Sequence, residues 1–281
     1  MKHLLLVFCL WLPGGPGGAE TPAPLAPLRI AEQFVAREGW PPIKSYLCCE
    51  AAGQAKNQTL GQQIPPRVAR TCQLVRQDST TAVVAVELRD SVSRRDFYLH
   101  FRNGETGWKL GAIRNLAMTH LGPPMVALLA AMPPAEVATY NLKHPDADHA
   151  FTLGNLRLWT SADADIAAHF YRNQTKFQQL VQLVQKGGYL AAAMAPGEAT
   201  DEQAANADPA VHALLRQLYL GRVTRRATNC GSCLAFVIGG KTDSTVGLLY
   251  QPQPAQLPAM HPDGLMVLRP LAGGWYLYKT A

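Results

Sequence analysis

The chain is predicted to be an α+β protein of two domains, each with helices followed by a curved antiparallel sheet. Three observations predict this class. In both halves apolar residues recur first at helical spacing and then at every second position. The period-two runs are rich in Val and Thr and are separated by turn residues. A proline-fenced stretch near the middle of the chain interrupts both patterns. Size and composition agree, since 281 residues suit about two domains of ordinary size. With 48% hydrophobic and 16% charged residues, the chain can bury real cores and is not a disordered polyelectrolyte. The formal charge of +6 is spread along the sequence. Nucleic-acid binders concentrate such charge in a stripe, so no nucleic-acid partner is expected.

Residues 1–19 read as a secretory signal peptide. Met1-Lys2-His3 is a basic start, residues 4–12 are apolar, and the glycine-rich exit ends at Ala19, where cleavage is expected. A spanning helix needs roughly 20 apolar residues, and this run is far shorter. Further on, residues 125–132 are apolar but fenced by Pro123-Pro124 and Pro133-Pro134. The expectation is a periplasmic or secreted protein with no stable membrane span once the leader is removed.

The first domain is expected over residues 20–118. Leu28, Ala31, Phe34 and Val35 define one face of a helix over 28–38, ended by Gly39, and a second helix is predicted from Pro42 to about Ala52. From Thr71 the period changes to two. Strands are predicted at 71–77 and 80–89, turned by Asp78-Ser79, then at 94–102 and 107–116, joined by Asn103-Gly104. Within 94–102, Phe97, Leu99 and Phe101 fall on one face and Tyr98, His100 and Arg102 on the other. A bridge over 119–148 holds the proline-fenced apolar helix and the polar turn His144-Pro145-Asp146-Ala147-Asp148-His149.

The second domain is expected over 149–281. It should open with an extended segment at 151–159. A long helix from Asp163 to Lys186 follows, stopped by Gly187-Gly188, then an Ala- and acid-rich loop over 194–208 and a helix from Pro209 to Leu220. Strands at 233–238, 245–250, 264–270 and 275–279 complete an antiparallel meander. Both halves close alike, on Gly107-Trp108-Lys109-Leu110 and on Gly274-Trp275-Tyr276-Leu277. A Trp in each last strand should be core material.

The segment Leu28-Arg29-Ile30-Ala31-Glu32-Gln33-Phe34-Val35, two helices and a strand series ending in Gly107-Trp108-Lys109-Leu110 resemble the nuclear-transport-factor-like superfamily. Its small lumazine-binding-like bacterial envelope domains are the nearest likeness, over about residues 25 to 118. That resemblance implies a cone-shaped sheet curled around helices. It implies little about activity, because members range from enzymes to plain binding and assembly modules. The superfamily's paired His and Asp have no clear counterpart here; His100 and Asp96 share a strand face by period two, but nothing else supports catalysis. The second half resembles a recurrent bacterial domain of unknown activity through Phe170, Phe177 and Leu180, Leu218-Tyr219, Gly247, Tyr250, a shifted Pro254, and the close Gly273 to Tyr278. Where that domain tends to carry a Ser-Lys pair, this chain has Thr245-Val246, so no role for the lysine transfers.

Loss of the leader removes Cys9 and leaves Cys48, Cys49, Cys72, Cys230 and Cys233. The odd count leaves at least one thiol free or paired between chains. Cys72 is expected to bridge back to Cys48 or Cys49, closing a loop of about 24 residues worth roughly 3 kcal/mol. Cys230-Gly231-Ser232-Cys233 has dithiol redox spacing, but a redox thiol is normally activated by a helix N-terminus, and the following residues 234–238 read as a strand. A structural disulfide at a strand entrance is the favoured reading. A zinc site would need two more ligands with no matching second pair, and no metal or cofactor is expected.

Gly239-Gly240-Lys241-Thr242 reads as a hairpin turn, not a phosphate loop, since Ala235 stands where the first glycine is required. The His144–His149 turn reads as solvated linker, and Arg222, Arg225 and Arg226 as cations complementing a helix C-terminus. No Gly-x-Ser-x-Gly elbow, His-Glu-x-x-His helix or calcium loop occurs. The expected function is therefore a non-catalytic binding or protein-interaction module, taking a small apolar ligand or an envelope protein partner. Tyr98, His100 and Arg102, or the opposite face Phe97, Leu99 and Phe101, would line its pocket; alternation alone does not choose the face. The alternative is an extracytoplasmic enzyme, either a dithiol oxidoreductase using Cys230 and Cys233 or a hydrolase with residues drawn from separate strands.

Overall fold

The computed structural model describes residues 25–55, 59–91, 93–116, 122–190, 200–228, 230–241 and 244–281; the expected leader lies outside them. The chain is α+β with antiparallel sheets. Helix α1 (Pro27–Val35) starts on a proline and buries Ile30, Ala31, Phe34 and Val35. The second helix predicted from Pro42 is instead a 3-10 turn, Pro41–Tyr46, and a short α2 (Cys49–Gln54). The break has a physical cause: Leu47 forms a bridge with Leu110, and the Cys48 N–H donates to the Leu110 carbonyl at 3.0 Å, which holds both residues extended.

Strands β1 (Ala69–Gln77), β2 (Thr81–Arg89), β3 (Arg94–Gly104) and β4 (Gly107–Arg114) form a four-stranded sheet in sequence order. Asp78 closes the first turn by accepting from the Thr80 and Thr81 amides at 2.8 and 2.7 Å. One face of this sheet packs Val84, Val86, Phe97, Leu99 and Phe101 against α1. The other face sends Val83, Ala85 and Tyr98 into a core shared with the C-terminal half.

After β4 come α3 (Gly122–Ala130), α4 (Pro134–Lys143), a 3-10 turn Pro145–Ala147, and α5 (His149–Trp159). Much of α3 and α4 is uncovered, with Leu128 73% and Leu142 85% exposed. Residues 151–159, expected to be extended, are helical. Asp148 decides it: its side chain accepts from the Phe151 N–H at 2.8 Å, an N-cap that outweighs an apolar pattern too short to distinguish the two periods. The long helix predicted over 163–186 is two, α6 (Asp163–Arg172) and α7 (Gln174–Lys186), because Asn173 leaves helical geometry and turns its side-chain amide back to the His169 carbonyl at 2.9 Å. Within the expected loop 194–208, residues 200–207 form α8 (Thr200–Ala207), and residues 191–199 lie outside the described residues. Helix α9 (Pro209–Gln217) is capped by Asp208, which accepts from the Ala210 and Val211 amides.

The second sheet has the order β5-β6-β7-β9-β8, built from β5 (Arg222–Thr224), β6 (Leu234–Lys241), β7 (Ser244–Tyr250), β8 (Leu265–Pro270) and β9 (Trp275–Thr280). It departs from the expected meander, since β9 inserts between β7 and β8. Asn206 secures β5 to α8, its amide donating to the Val223 carbonyl and accepting from the Val223 N–H. The Trp275 ring lies 5.2–5.5 Å from those of Phe170, Phe177, Phe236 and Tyr250, so the closing Trp does serve the core. No helix among the described residues is long and apolar enough to cross a membrane.

Candidate functional site

Packing, not alternation, settles which face of β3 meets the second half. Phe97, Leu99 and Phe101 belong to the α1 core, while Asp96, Tyr98 and His100 are buried on the opposite face. The first two of these join a charge cluster at the junction of the halves. Asp163 opens α6 there with 0% side-chain exposure. Its Oδ1 lies 2.8 Å from Lys279 Nζ of β9 and accepts the Tyr98 hydroxyl at 2.8 Å. Arg269 Nη1 of β8 approaches Asp163 Oδ2 at 3.4 Å. The Asp163 backbone N–H donates to Asp96 Oδ2 at 2.6 Å, and Lys279 Nζ stands 4.0 Å from the same oxygen.

The two carboxyls are driven apart. Burial, and then the neighbouring Asp163 charge, push Asp96 up to about 6. Burial also penalises the Asp163 anion, but Lys279 and Arg269, with hydrogen bonds from Lys279 and Tyr98, outweigh it and hold that carboxyl below its ordinary value. Lys279 therefore belongs chiefly to Asp163. Ion pairs and hydrogen bonds among its carboxyls, cations and phenol join the two halves, with Asp163 Oδ2 held by the Arg269 charge at 3.4 Å and no hydrogen bond.

Two residues beyond Tyr98, His100 lines a cavity of about 310 Å³. Val83, Phe101, Gly111 and Ala112 of the first sheet, Cys49 and Glu50 of α2, and residues 260–263 form its walls, with the exposed Arg102 beside them. The β3–β4 register shifts at His100/Phe101, leaving Gly111 as the extra residue. Such bulges re-aim side chains and are common beside functional sites. His100 is 6% exposed and its Nε2 has no hydrogen-bond partner. Burial, then Arg114 and His261, lower it to about 4, so the imidazole is neutral near pH 7. Arg114 secures two walls at once. It pairs with Glu50 Oε1 and Oε2 at 2.9 and 2.6 Å, with Asp263 Oδ1 at 2.6 Å, and with the Pro262 carbonyl at 2.9 Å.

The predicted pocket residues thus divide: His100 and Arg102 line one cavity, and Tyr98 is committed to Asp163. Of the opposite-face set, Phe101 alone reaches that cavity. Sequence reasoning missed Glu50, Arg114, His261 and Asp263, which only the tertiary fold brings to β3.

Cys230 and Cys233 form a disulfide, with Cα atoms 5.3 Å apart. Both are buried in a small cluster with Leu249, Leu268 and Tyr278, and β6 follows them directly. The expected bridge from Cys72 to Cys48 or Cys49 is absent; all three are free. Cys48 is bonded to β4, whereas Cys72 lies on β1 at the far edge of the same sheet. Three strand spacings are roughly 14 Å, about twice what a disulfide tolerates between Cα atoms.

Among the other residues singled out, Asp148 caps α5 and His149 Nε2 bonds the Leu129 carbonyl at 2.8 Å. Arg222 and Arg226 line a separate cavity of about 590 Å³, together with Thr224 and Thr228. Glu202 and Asp263 also line it, and Glu202 lies 4.0 Å from Arg226, so opposite charges meet within its walls. No protein family, curated protein or solved structure matches the chain.

Proposed function

We propose that this chain is an exported bacterial envelope protein that acts by binding, taking a small, largely apolar ligand with one hydrogen-bonding head into the cavity beside His100. The single observation that carries this reading is His100, a residue of the cavity wall whose buried Nε2 has no partner, in a cavity whose carboxylates Glu50 and Asp263 are already paired with Arg114. Leaving such an atom unmade costs about 1–3 kcal/mol, which a ligand's polar head offsets. The volume lies at the small end of ligand pockets. A neutral imidazole hydrogen-bonds the head without demanding a charge, and Arg102 at the rim favours one carrying an acidic group. In this reading residues 25–118 are a cone-shaped, nuclear-transport-factor-like unit, the second α+β unit supplies the remaining wall, and the basic-apolar-small leader directs the chain to the periplasm or beyond.

The burial of Cys230 and Cys233, with a strand rather than a helix after them, supports a structural staple over the oxidoreductase alternative. The test uses 1-anilinonaphthalene-8-sulfonate, an apolar dye with one anionic head, titrated by fluorescence. The native protein should bind one equivalent. His100→Phe, which keeps the ring and removes both nitrogens, and Ala112→Leu, which occupies cavity space, should each weaken binding about tenfold or more, equal to about 1.4 kcal/mol. Unchanged binding in both variants, with circular dichroism showing them folded, would end this reading.

A further inference from the structure

Cys48 and Cys49 are adjacent in sequence, and their sulfurs lie 3.0 Å apart, about 1 Å beyond a bonded pair. The backbone between them is set for this closeness. Cys49 holds φ +54°, a left-handed conformation that L residues seldom adopt and that clusters at functional sites. Both ends are tied down. The Cys48 N–H donates to Leu110 on β4 at 3.0 Å, the Ala52 N–H donates to the Cys48 carbonyl at 3.2 Å, and the next residue, Glu50, is gripped by Arg114. Cys49 is exposed and lines the His100 cavity, while Cys48 is half-buried behind it.

We propose that Cys48 and Cys49 are a redox modification site, closing into an eight-membered vicinal disulfide ring at the lip of the cavity when a low-molecular-weight disulfide is the oxidant. The exposed Cys49 thiolate attacks one sulfur of the oxidant, forming a mixed disulfide and releasing one thiol. The Cys48 thiolate then attacks Cys49 Sγ and expels the second. The protein dithiol loses two protons and two electrons, and the oxidant becomes two thiols. The order follows from access, and the 3.0 Å between the sulfurs places Cys48 for the second step. Burial, then the hydrogen bond and charge of the adjacent Cys49, push the Cys48 thiol up to about 11, while Arg102 and Lys109 pull it down. Capping Cys49 removes both of its contributions and leaves burial opposed by the two cations. Cys72 cannot compete, because it lies across the sheet and burial pushes its thiol up to about 12. The inference is independent of the ligand reading, since it concerns the dithiol alone.

The experiment takes the full-length folded protein, reduced and then equilibrated in a reduced/oxidised glutathione buffer, acid-quenched, alkylated with iodoacetamide and mapped by peptide mass spectrometry. Alkylated thiols among Cys48, Cys49 and Cys72 should fall from three to one, Cys72 alone, with the Cys48-Cys49 peptide two hydrogens lighter than the dithiol. Cys48→Ser should instead accumulate glutathione on Cys49. In the native sequence a persistent dithiol, glutathione retained on Cys49, a bridge to Cys72, or a disulfide-linked dimer would each overturn the proposal. The native-sequence map decides it even without the variant.

Discussion

Asp96 and His100 lie on one face of β3, and burial displaces them in opposite directions: the carboxyl from 3.8 to about 6, the imidazole from 6.5 to about 4. Between pH 4 and 6 the folded protein holds a proton on Asp96 that the unfolded chain has lost, so this group's stabilisation, full below 4, is lost as pH rises. His100 has the reverse sign. The unfolded chain is protonated there and the folded one is not, so its stabilisation is lost as pH falls. Each slope is about 1.4 kcal/mol per pH unit and they oppose. Asp96→Asn, which keeps an acceptor for the Asp163 amide, should therefore make stability rise with pH across this window relative to the native protein. His100→Gln should make it fall. Urea midpoints at pH 4.5 and 6 read both, and parallel profiles in the two variants would refute the opposition. Lys279 is the nearest cation to Asp163. Lys279→Met leaves the buried Asp163 carboxylate only Arg269 and the Tyr98 hydroxyl, and an equilibrium denaturation loss of about 3 kcal/mol is expected; a loss below about 1 kcal/mol would mean the cluster is not what joins the halves.

At the scale of elements, two glycines separate packing from propensity. A Cβ on Gly61 would sit 1.7 Å from the Ala36 carbonyl oxygen, rigid backbone at the end of α1, so Gly61→Ala should destabilise by about 1–3 kcal/mol or more. Gly53 in α2 has nothing within 4 Å of such an atom, and Gly53→Ala should stabilise by about 0.4–1 kcal/mol. Thermal melts of the two should move in opposite directions. The strands of the first sheet were legible because alternation at Phe97, Leu99 and Phe101 is long, and its turns carry Asp78-Ser79 and Asn103-Gly104. Helix α5 was not, because Leu156 and Leu158 fall out of step with Phe151 and Leu153 and the four gather on no single helical face; Asp148 as a cap was the available signal. The insertion of β9 between β7 and β8 leaves no local trace, since pairing partners are chosen by tertiary packing. The same holds for Cys72, whose distance from Cys48 depends on strand order.

For the molecule as a whole, the decisive feature is that β2 and β3 at the centre of the first sheet are covered on both faces, whereas β1 at its edge is not. Residues 82–86 are buried without interruption, and their unbroken Ala-Val-Val-Ala-Val run was the available signal that something packs on each side. Val83, Ala85 and Tyr98 share a core with Phe170, Phe236 and Trp275, so neither half buries its apolar surface alone. One cooperative unfolding transition is expected. Native-state hydrogen exchange should give the slowest amides of β2 and of β7 the same opening free energy, whereas values separated by more than about 2 kcal/mol would mean the halves open independently. Of the His100 cavity, the sequence marked His100 and Arg102 but not the opposing wall, which comes from residues 260–263, about 160 positions away along the chain. That wall is set by a single guanidinium, Arg114, which grips α2 and Asp263 together. Anyone wishing to enlarge the chamber should lengthen the segment before Asp263 and leave Arg114 alone, because redesign of either wall changes the other through that shared fastening.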